Sequence, residues 1–515
     1  MRAVTSFEMK NIERIAIDDI GIPSLVLMEN AAENAVFEIE KHIMNLSEKP
    51  YVVIFSGKGN NGGDGLVIYR KLLNKKIDCD LFFLGEEEKA SNECKKQIDI
   101  LNKLNLKINY IKDKNDLIIC TKKVKKSNIT VDALIGTGLK SELNDFMANI
   151  TNIINENSKY VIAIDCPTGL NSDNGKAMKN TVKANKTVTF HMPKRGLFLN
   201  DAPEYAGCVS VKDISIPYSI KGENTSDCFL FDSDLFEKFK PKRKQNSHKN
   251  TFGKVVIIAG SKNMPGALAI SSLSAYKTGC GLVEACTVPK ACEVLNNIVP
   301  EAVTSRVKEK DGMICIDSIE EIKKSVKNAD SVVIGPGIGR SIDVTNAVRK
   351  IISIVKCPLI IDADGLNAVS EDLDMLKTIN TKCVITPHIG EMSRLTGIDK
   401  DDIKNNMIDI AFEFSKKYNL ITHLKSARSV TVSPEGNIFI NTTGNSAAAK
   451  GGSGDCLTGI IAALAAQKTD VFYSAAMGAY IFGKAVQKAS EELGQYSVTA
   501  ANIANSISFV MKDKR

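Results

Sequence analysis

Residues 449–466 read AKGGSGDCLTGIIAALAA. Gly451-Gly452-Ser453-Gly454 lead into Asp455, and an apolar run of helical length follows. Asp455 is a natural N-cap for that helix. An N-cap does not require four small residues before it. Backbone N–H groups around such a turn make an anion hole, and a carboxylate beside them can deprotonate an alcohol. Phosphoryl transfer needs mostly positioning and charge stabilisation, and this stretch offers both. A kinase-like site on an α/β framework is the expectation.

The framework is legible around it. GKVVIIAGS (253–261), LVEACTV (282–288), SVVIG (331–335), PLIIDA (358–363), CVITP (383–387) and LITHLK (420–425) read as buried strands separated by helical stretches. Continuous apolar runs of this length argue for a parallel sheet covered on both faces. SVTVSPEGNIFIN reads as a hairpin turning at Pro434-Glu435-Gly436, and three helices close the chain. Strand ends supply further polar groups. GPGIG (335–339) is a weak nucleotide-type turn. DADGLN (362–367) places two carboxylates near a Mg²⁺ site or a helix cap. TPHIGE brings His388 and Glu391, and HLKSARSV brings Lys425 and Arg428 within reach of phosphates.

The first half repeats the logic with different motifs. YVVIFS (51–56), CDLFFLG (79–85), ITVDALIG (129–136) and YVIAID (160–165) read as strands, and DGLVIYRKLLN (64–74) as a helix. Two helices precede the sheet, one over 6–20 capped by Ser6 and one from Ser24. Between strand and helix lies GKGNNGGDG (57–65), a turn that lets backbone approach an anion. It lacks the Gly-Lys-[Ser/Thr] of a P-loop and the spacing of a dinucleotide fingerprint. Ligands of parallel sheets sit outside the carboxyl ends of strands. The loop, VDALIGTGL and AIDCPTGL should therefore share one crevice, where Asn61, Asp132 and Thr168 offer hard oxygen donors to a cation.

Bulk properties narrow the classes. The chain has 515 residues, enough for two to four domains, with 43% hydrophobic and 25% charged residues. Net charge is +7, and the basic run EKFKPKRKQNSHK (237–249) has no aromatic interleaved among its basic residues beyond Phe239, so it reads as linker rather than as a nucleic-acid surface. Thirteen cysteines include no CxxC pair, which fits buried thiols in a reducing compartment. No apolar run of membrane-spanning length occurs. A cytoplasmic protein with no membrane or nucleic-acid partner, forming a homo-oligomer, is expected. The domains are expected at 1–217 and 247–515, with a linker at 218–246.

Two resemblances sharpen this. SLVLMENAA (24–32), GKGNNGGDGLV (57–67), DALIGTGL (132–139), IDCPTGLNSDNG (164–175) and TVTFHMPKRGL (187–197) resemble the NAD(P)HX epimerases, the YjeF N-terminal family. That resemblance implies a Rossmann-like three-layer sandwich holding a hydrated nicotinamide nucleotide. Asn60, Asn61, Gly62, Gly63 and Asp64, with Gly136, Thr137, Gly138, Leu139, Lys140, Ser141 and Glu142, would hold the ligand. Asp165 would be the acid/base at the nicotinamide end, and K⁺ would lie on Asn61, Asp132 and Thr168. From about 247 to 510 the chain resembles the ADP/ATP-dependent NAD(P)HX dehydratases, the YjeF C-terminal family, with a ribokinase-like fold. By that resemblance Ala267, Gly337, His388 and Asp455 touch the hydrated nucleotide, and Lys425, Ser426, Ala427, Arg428, Ser429 and Gly454 hold ADP or ATP with Mg²⁺. Asp455 would deprotonate the ring hydroxyl, the nucleotide would phosphorylate it, and elimination of phosphate would restore the reduced cofactor. An epimerase in the same chain would convert the epimer that the dehydratase does not accept into the one that it does.

The chain departs from the family pattern at several points. TGNSAAAKGGSGD stands for TGNPGMATGGTGD, KSARS for KGAHT, and HIG for HPG. Thr168 stands where Ser is frequent, and Asn171 where Asp is frequent. The alternative reading is a ribokinase-like kinase of a small alcohol, such as a vitamin precursor, with a nucleotide-binding N-terminal domain.

Overall fold

The computed structural model describes residues 1–139, 141–220, 222 and 226–512. It divides into two compact units, Met1–Ser226 and Asp227–Arg515.

The first unit is built on a seven-stranded sheet. In spatial order the strands are Asn109–Tyr110, Asp78–Phe83, Tyr51–Ser56, Ile129–Ala133, Val161–Ile164, Lys186–Phe190 and Cys208–Lys212. All neighbours are parallel. Successive strand residues point to opposite faces. Val52 and Ile54 join one apolar cluster with the helices Ser24–Ile43 and Asn60–Asn74, whereas Val53 and Phe55 join another with Lys114–Lys126 and Asp145–Asn157. Both faces are thus buried, as the unbroken apolar runs predict. Strand order reverses between Tyr51–Ser56 and Ile129–Ala133. The loops after these two strands open at that switch point, where ligand crevices form.

Four local expectations are corrected. The first helix runs Ser6–Arg14 and continues as a π-helical segment, Ile15–Asp19, before Gly21 at φ +87°. Its cap is Thr5, not Ser6, because Thr5 and Glu8 close a reciprocal capping box. The helix expected at 64 begins at Asn60, so Asn60 to Gly63 form its first turn instead of a loop. The stretch expected as linker, 218–246, contains the strand Cys228–Phe231 and the helix Ser233–Phe239.

The second unit carries a ten-stranded sheet. Its order is Val303–Arg306, Leu282–Thr287, Lys254–Ile258, Ser331–Ile334, Leu359–Ile361, Cys383–Ile385, Ile421–Leu424, Val430–Val432, Ile438–Asn441 and Cys228–Phe231. Only Val430–Val432 runs antiparallel to both its neighbours. The hairpin turn falls where expected, with Gly436 at φ +91°. Cys228–Phe231 pairs in parallel with Ile438–Asn441 and caps the edge. This α/β architecture, with mostly parallel sheets in both units, is the class read from the sequence. Among the described residues no helix is long and apolar enough to cross a membrane.

Two helices set the frame of the second unit, Pro265–Thr278 and Ser453–Ala466. They cross so closely at Gly459 that a Cβ there would stand 2.2 Å from the Ser271 carbonyl oxygen. Backbone cannot yield as a side chain can. Gly459→Ala is expected to destabilise the unit by about 1–3 kcal/mol, read as a lowered midpoint in thermal unfolding. An unchanged midpoint would contradict this packing.

Candidate active sites

In the first unit the helix Asn60–Asn74 starts at Gly59 without a side-chain cap. The N–H groups of Asn60, Asn61 and Gly62 find no acceptor among the described residues. They are open to an anion, with the helix dipole behind them. The Asn61 amide, in its corrected orientation, donates to the Ile164 carbonyl at 3.0 Å and accepts from Gly136 N–H at 3.2 Å. A Cβ on Gly136 would lie 3.1 Å from Asn61 Cγ and 3.3 Å from Asp165 Oδ2. The three predicted residues therefore converge on one wall.

Asp132 and Thr168 meet directly. Asp132 Oδ1 accepts from the Thr168 hydroxyl at 2.7 Å, and Oδ2 from Thr168 N–H at 2.8 Å. Asp132 Oδ1 also accepts from Leu134 N–H, and the Thr168 hydroxyl contacts Ile135. Asp132 is fully buried. Burial pushes its carboxyl up to about 6, against the hydrogen bonds from Thr168 and Leu134. Among the described residues it has donors but no cationic side chain beside it. Lys140 lies outside the described residues. Glu142 accepts from Lys179 N–H.

Asp165 holds left-handed backbone, φ +63°, at the end of Val161–Ile164. Such a conformation in a non-glycine residue stores strain of about 1–3 kcal/mol. Its Oδ1 takes a hydrogen bond from Thr189 at 3.0 Å and an ion pair from Lys194 Nζ at 2.5 Å. Lys194 is among the largest fully buried side chains. The sequence reading passed over it, although it lies in the quoted TVTFHMPKRGL. A lysine in a stretch that turns back beneath a sheet gives no local sign of burial.

In the second unit Asp455 is not the cap of its helix. Gly452, at φ +88°, takes that place, and Asp455 is the third helical residue. Its carboxylate is consequently free of capping. The N–H groups of Gly454 and Asp455 have no acceptor among the described residues. Burial first, then the charges of Asp362 and Asp364, push the Asp455 carboxyl up to about 6, with Lys425 opposing.

Asp362 organises the surroundings. It ends Leu359–Ile361 and is fully buried. Its Oδ1 accepts from Lys425 Nζ and from Thr386, each at 2.7 Å, and its Oδ2 accepts from Thr458 at 2.7 Å. Burial would raise this carboxyl, but the Lys425 charge and three hydrogen bonds outweigh it and hold it low. Lys425, also beside Glu391 at 3.9 Å, is held above its ordinary value because those carboxylates outweigh burial. A Cβ on Gly454 would lie 3.4 Å from Lys425 Nζ. The ammonium thus stands against the glycine-rich turn. Gly337, at φ +63°, packs on Ala267. His388 caps the helix Ile389–Thr396 through Nδ1, which accepts from Gly390 and Glu391 N–H. Its side chain is 54% exposed, so it is not a core residue. Arg428 bonds the Thr442 carbonyl at 2.6 Å, and Ser426 and Ser429 bond each other. Lys450 reaches the Tyr496 carbonyl at 2.5 Å. Thr386 and Thr458 were not foreseen. Asp364 bonds Gly339 N–H and Arg340. Among the described residues no group of three or more His, Cys, Asp and Glu is placed to hold a metal.

Two parallel α/β units, each with a buried carboxylate beside an uncapped helix N-terminus, define a two-site enzyme for anionic ligands. The family described as NAD(P)H-hydrate dehydratase matches residues 255–508, and the YjeF-related N-terminal family matches residues 24–196. The bifunctional NAD(P)H-hydrate repair enzyme of Moorella thermoacetica is 33% identical over all of this chain and 97% of its own length. That of Dictyoglomus turgidum is 33% identical over 98% of this chain and 97% of its own. A Bacillus subtilis ADP/ATP-dependent NAD(P)H-hydrate dehydratase, crystallised with ATP and Mg²⁺, is 27% identical over 55% of this chain and 96% of its own, with a TM-score of 0.47. The chain belongs to the family of bifunctional NAD(P)H-hydrate repair enzymes.

The Asp362 network generates a stability prediction. Asp362→Ala strands the buried Lys425 ammonium, and the expected cost is about 3–5 kcal/mol. Chemical denaturation measures it. A cost below about 1 kcal/mol would mean that the pair is no stronger than a surface bridge.

Proposed function

We propose that the first unit interconverts the R and S epimers of NAD(P)HX, and that the second dehydrates the S epimer to NAD(P)H with a nucleotide as phosphoryl donor. The observation that carries the second half is Asp455. It is a carboxyl raised to about 6, beside two open N–H groups and the Lys425 ammonium. A base near neutrality, an anion hole and a fixed cation are what phosphorylation of an alcohol requires. Asp455 takes the proton of the ring hydroxyl. The N–H groups of Gly454 and Asp455 and Lys425 neutralise the transferring phosphoryl group. Phosphate then leaves far more readily than hydroxide, and loss of a neighbouring ring proton restores the reduced ring. Lys425 to Ser429 and Gly454 hold the nucleotide, and Ala267, Gly337 and His388 hold the hydrated cofactor. Mg²⁺ enters with the nucleotide phosphates. ADP, giving AMP and phosphate, is the preferred donor in this reading.

In the first unit Asn60 to Asp64 and the segment 136–142 hold the nucleotide, and Asp165 exchanges protons with the ring. The buried Asp132 carboxyl, ringed by donors and with no cationic partner among the described residues, fits K⁺ together with Asn61 and Thr168. A bound cation would favour the carboxylate and brace the loops of the crevice.

Asp455→Asn is expected to lower dehydration by at least about 100-fold while epimerisation continues. Loss of both activities would undo the two-site reading. The base must be unprotonated, so kcat/KM for dehydration should fall about tenfold per pH unit below the Asp455 value of about 6. A flat profile down to pH 5 would remove Asp455 from the role of base. Asp165→Asn should slow consumption of the R epimer and leave S-epimer dehydration untouched, as followed by NADH absorbance with a mixed-epimer substrate.

A further inference from the structure

Four ionisable side chains from four segments of the first unit interact electrostatically. Asp64 stands at the start of the second turn of the helix Asn60–Asn74, and Asp165 follows Val161–Ile164. Lys194 follows Lys186–Phe190, and Glu13 comes from Ser6–Arg14. The two aspartates are treated very differently. Lys194 spends its ammonium on Asp165 Oδ1 at 2.5 Å, Thr189 Oγ1 at 3.1 Å and the Phe190 carbonyl at 3.2 Å. Thr189 fixes the same Oδ1 from the other side. The Asp165 side chain is thereby fixed through Oδ1, and its Oδ2 faces the Gly136 and Asn61 wall. Asp64 is 9% exposed and makes no hydrogen bond or ion pair among the described residues. Burial of a carboxyl without a partner favours its neutral form. Burial, then the charges of Asp165 and Glu13, push Asp64 well up, with Lys194 opposing. The Cys94 thiol beside it is pushed up to about 12 and stays neutral. Glu13 is raised as well, chiefly by burial. His191, beside Lys194, is pushed down to about 4 by burial and by that lysine.

We propose that epimerisation in this unit uses two carboxyl groups instead of one, Asp64 as proton donor and Asp165 as proton acceptor, with Lys194 the positioning residue that tells them apart. The proposal rests on the epimerase reading above. Water added across the enamine of a reduced nicotinamide ring leaves its hydroxyl on a carbon next to nitrogen. Inverting that carbon needs a proton given and a proton taken. Asp64 gives its proton to the hydroxyl oxygen, and the C–O bond breaks with its electron pair leaving as water. The nitrogen lone pair forms the C=N bond of an iminium ion. Water adds from the opposite face, and its proton passes to Asp165. One proton is given and one taken, and nothing is oxidised. The reverse epimerisation runs with the two roles exchanged, as environments that separate two carboxyls allow.

The test uses the full-length protein and purified R epimer with no nucleotide, the epimer ratio being read by chromatography. Asp64→Asn is expected to lower kcat for epimerisation by about 100-fold or more, with KM changed by less than about threefold. Dehydration of the S epimer with ADP should be unchanged and serves as the folding control. Lys194→Met should move the acid limb of the epimerisation profile to higher pH, and Lys194→Arg should restore it. An Asp64→Asn kcat within about threefold of the parent, or a rise in KM alone, overturns the proposal. A parent protein that does not accelerate epimerisation at all would instead overturn the epimerase reading.

Discussion

Both sheets are buried on both faces, and this constraint governs everything polar in the molecule. Val52 through Phe55 and Val255 through Ile258 are shut off from solvent on either side. Charged chemistry has no place along such strands. It is confined to their carboxyl ends, where the chain leaves the sheet and backbone N–H groups become available. Asp132, Asp165, Asp362, Thr386 and Lys425 all lie at or just beyond such ends. The sites exist where the apolar core stops.

The two sites use that position in different ways. The second concentrates charge around Asp362, which joins the ends of three strands to the helix Ser453–Ala466 through Lys425, Thr386 and Thr458. A buried carboxylate with three partners is a rigid anchor. It sets Lys425 against the glycine-rich turn, and its negative charge helps raise Asp455. Structure and reactivity are therefore coupled through one side chain. The first site holds its carboxyls apart. Lys194 commits itself to Asp165, while Asp132 and Asp64 are buried with no ion pair among the described residues. Backbone strain marks both sites, at Asp165 and at Ala363, where φ is +49°.

Much was legible before the fold was seen. Strand centres came from unbroken β-branched runs, and the two glycine-rich turns stood out because a turn alone does not need so many small residues. Asp165 and Gly136 lie in loops after strands, as read from the sequence, whereas Asn61 and Asp455 lie in the first turns of helices. Boundaries were less secure. Asn60 to Gly63 are helical although two glycines and two asparagines disfavour helix, because the turn is fixed by close packing. A Cβ on Gly62 would stand 1.7 Å from the Gly57 carbonyl oxygen. The strand Cys228–Phe231 was read as linker, since four residues beside a basic run carry no periodicity that separates an edge strand from a loop.

By itself the sequence determined the local grammar of this protein: which runs are buried, where backbone opens to an anion, and which carboxylates stand at strand ends. Those properties depend on neighbours within a few residues. The tertiary structure alone decided the partners. Lys194 reaches Asp165 across 29 residues, and Lys425 reaches Asp362 across 63. No spacing in the chain encodes such pairs, because they follow from the order in which strands lie side by side.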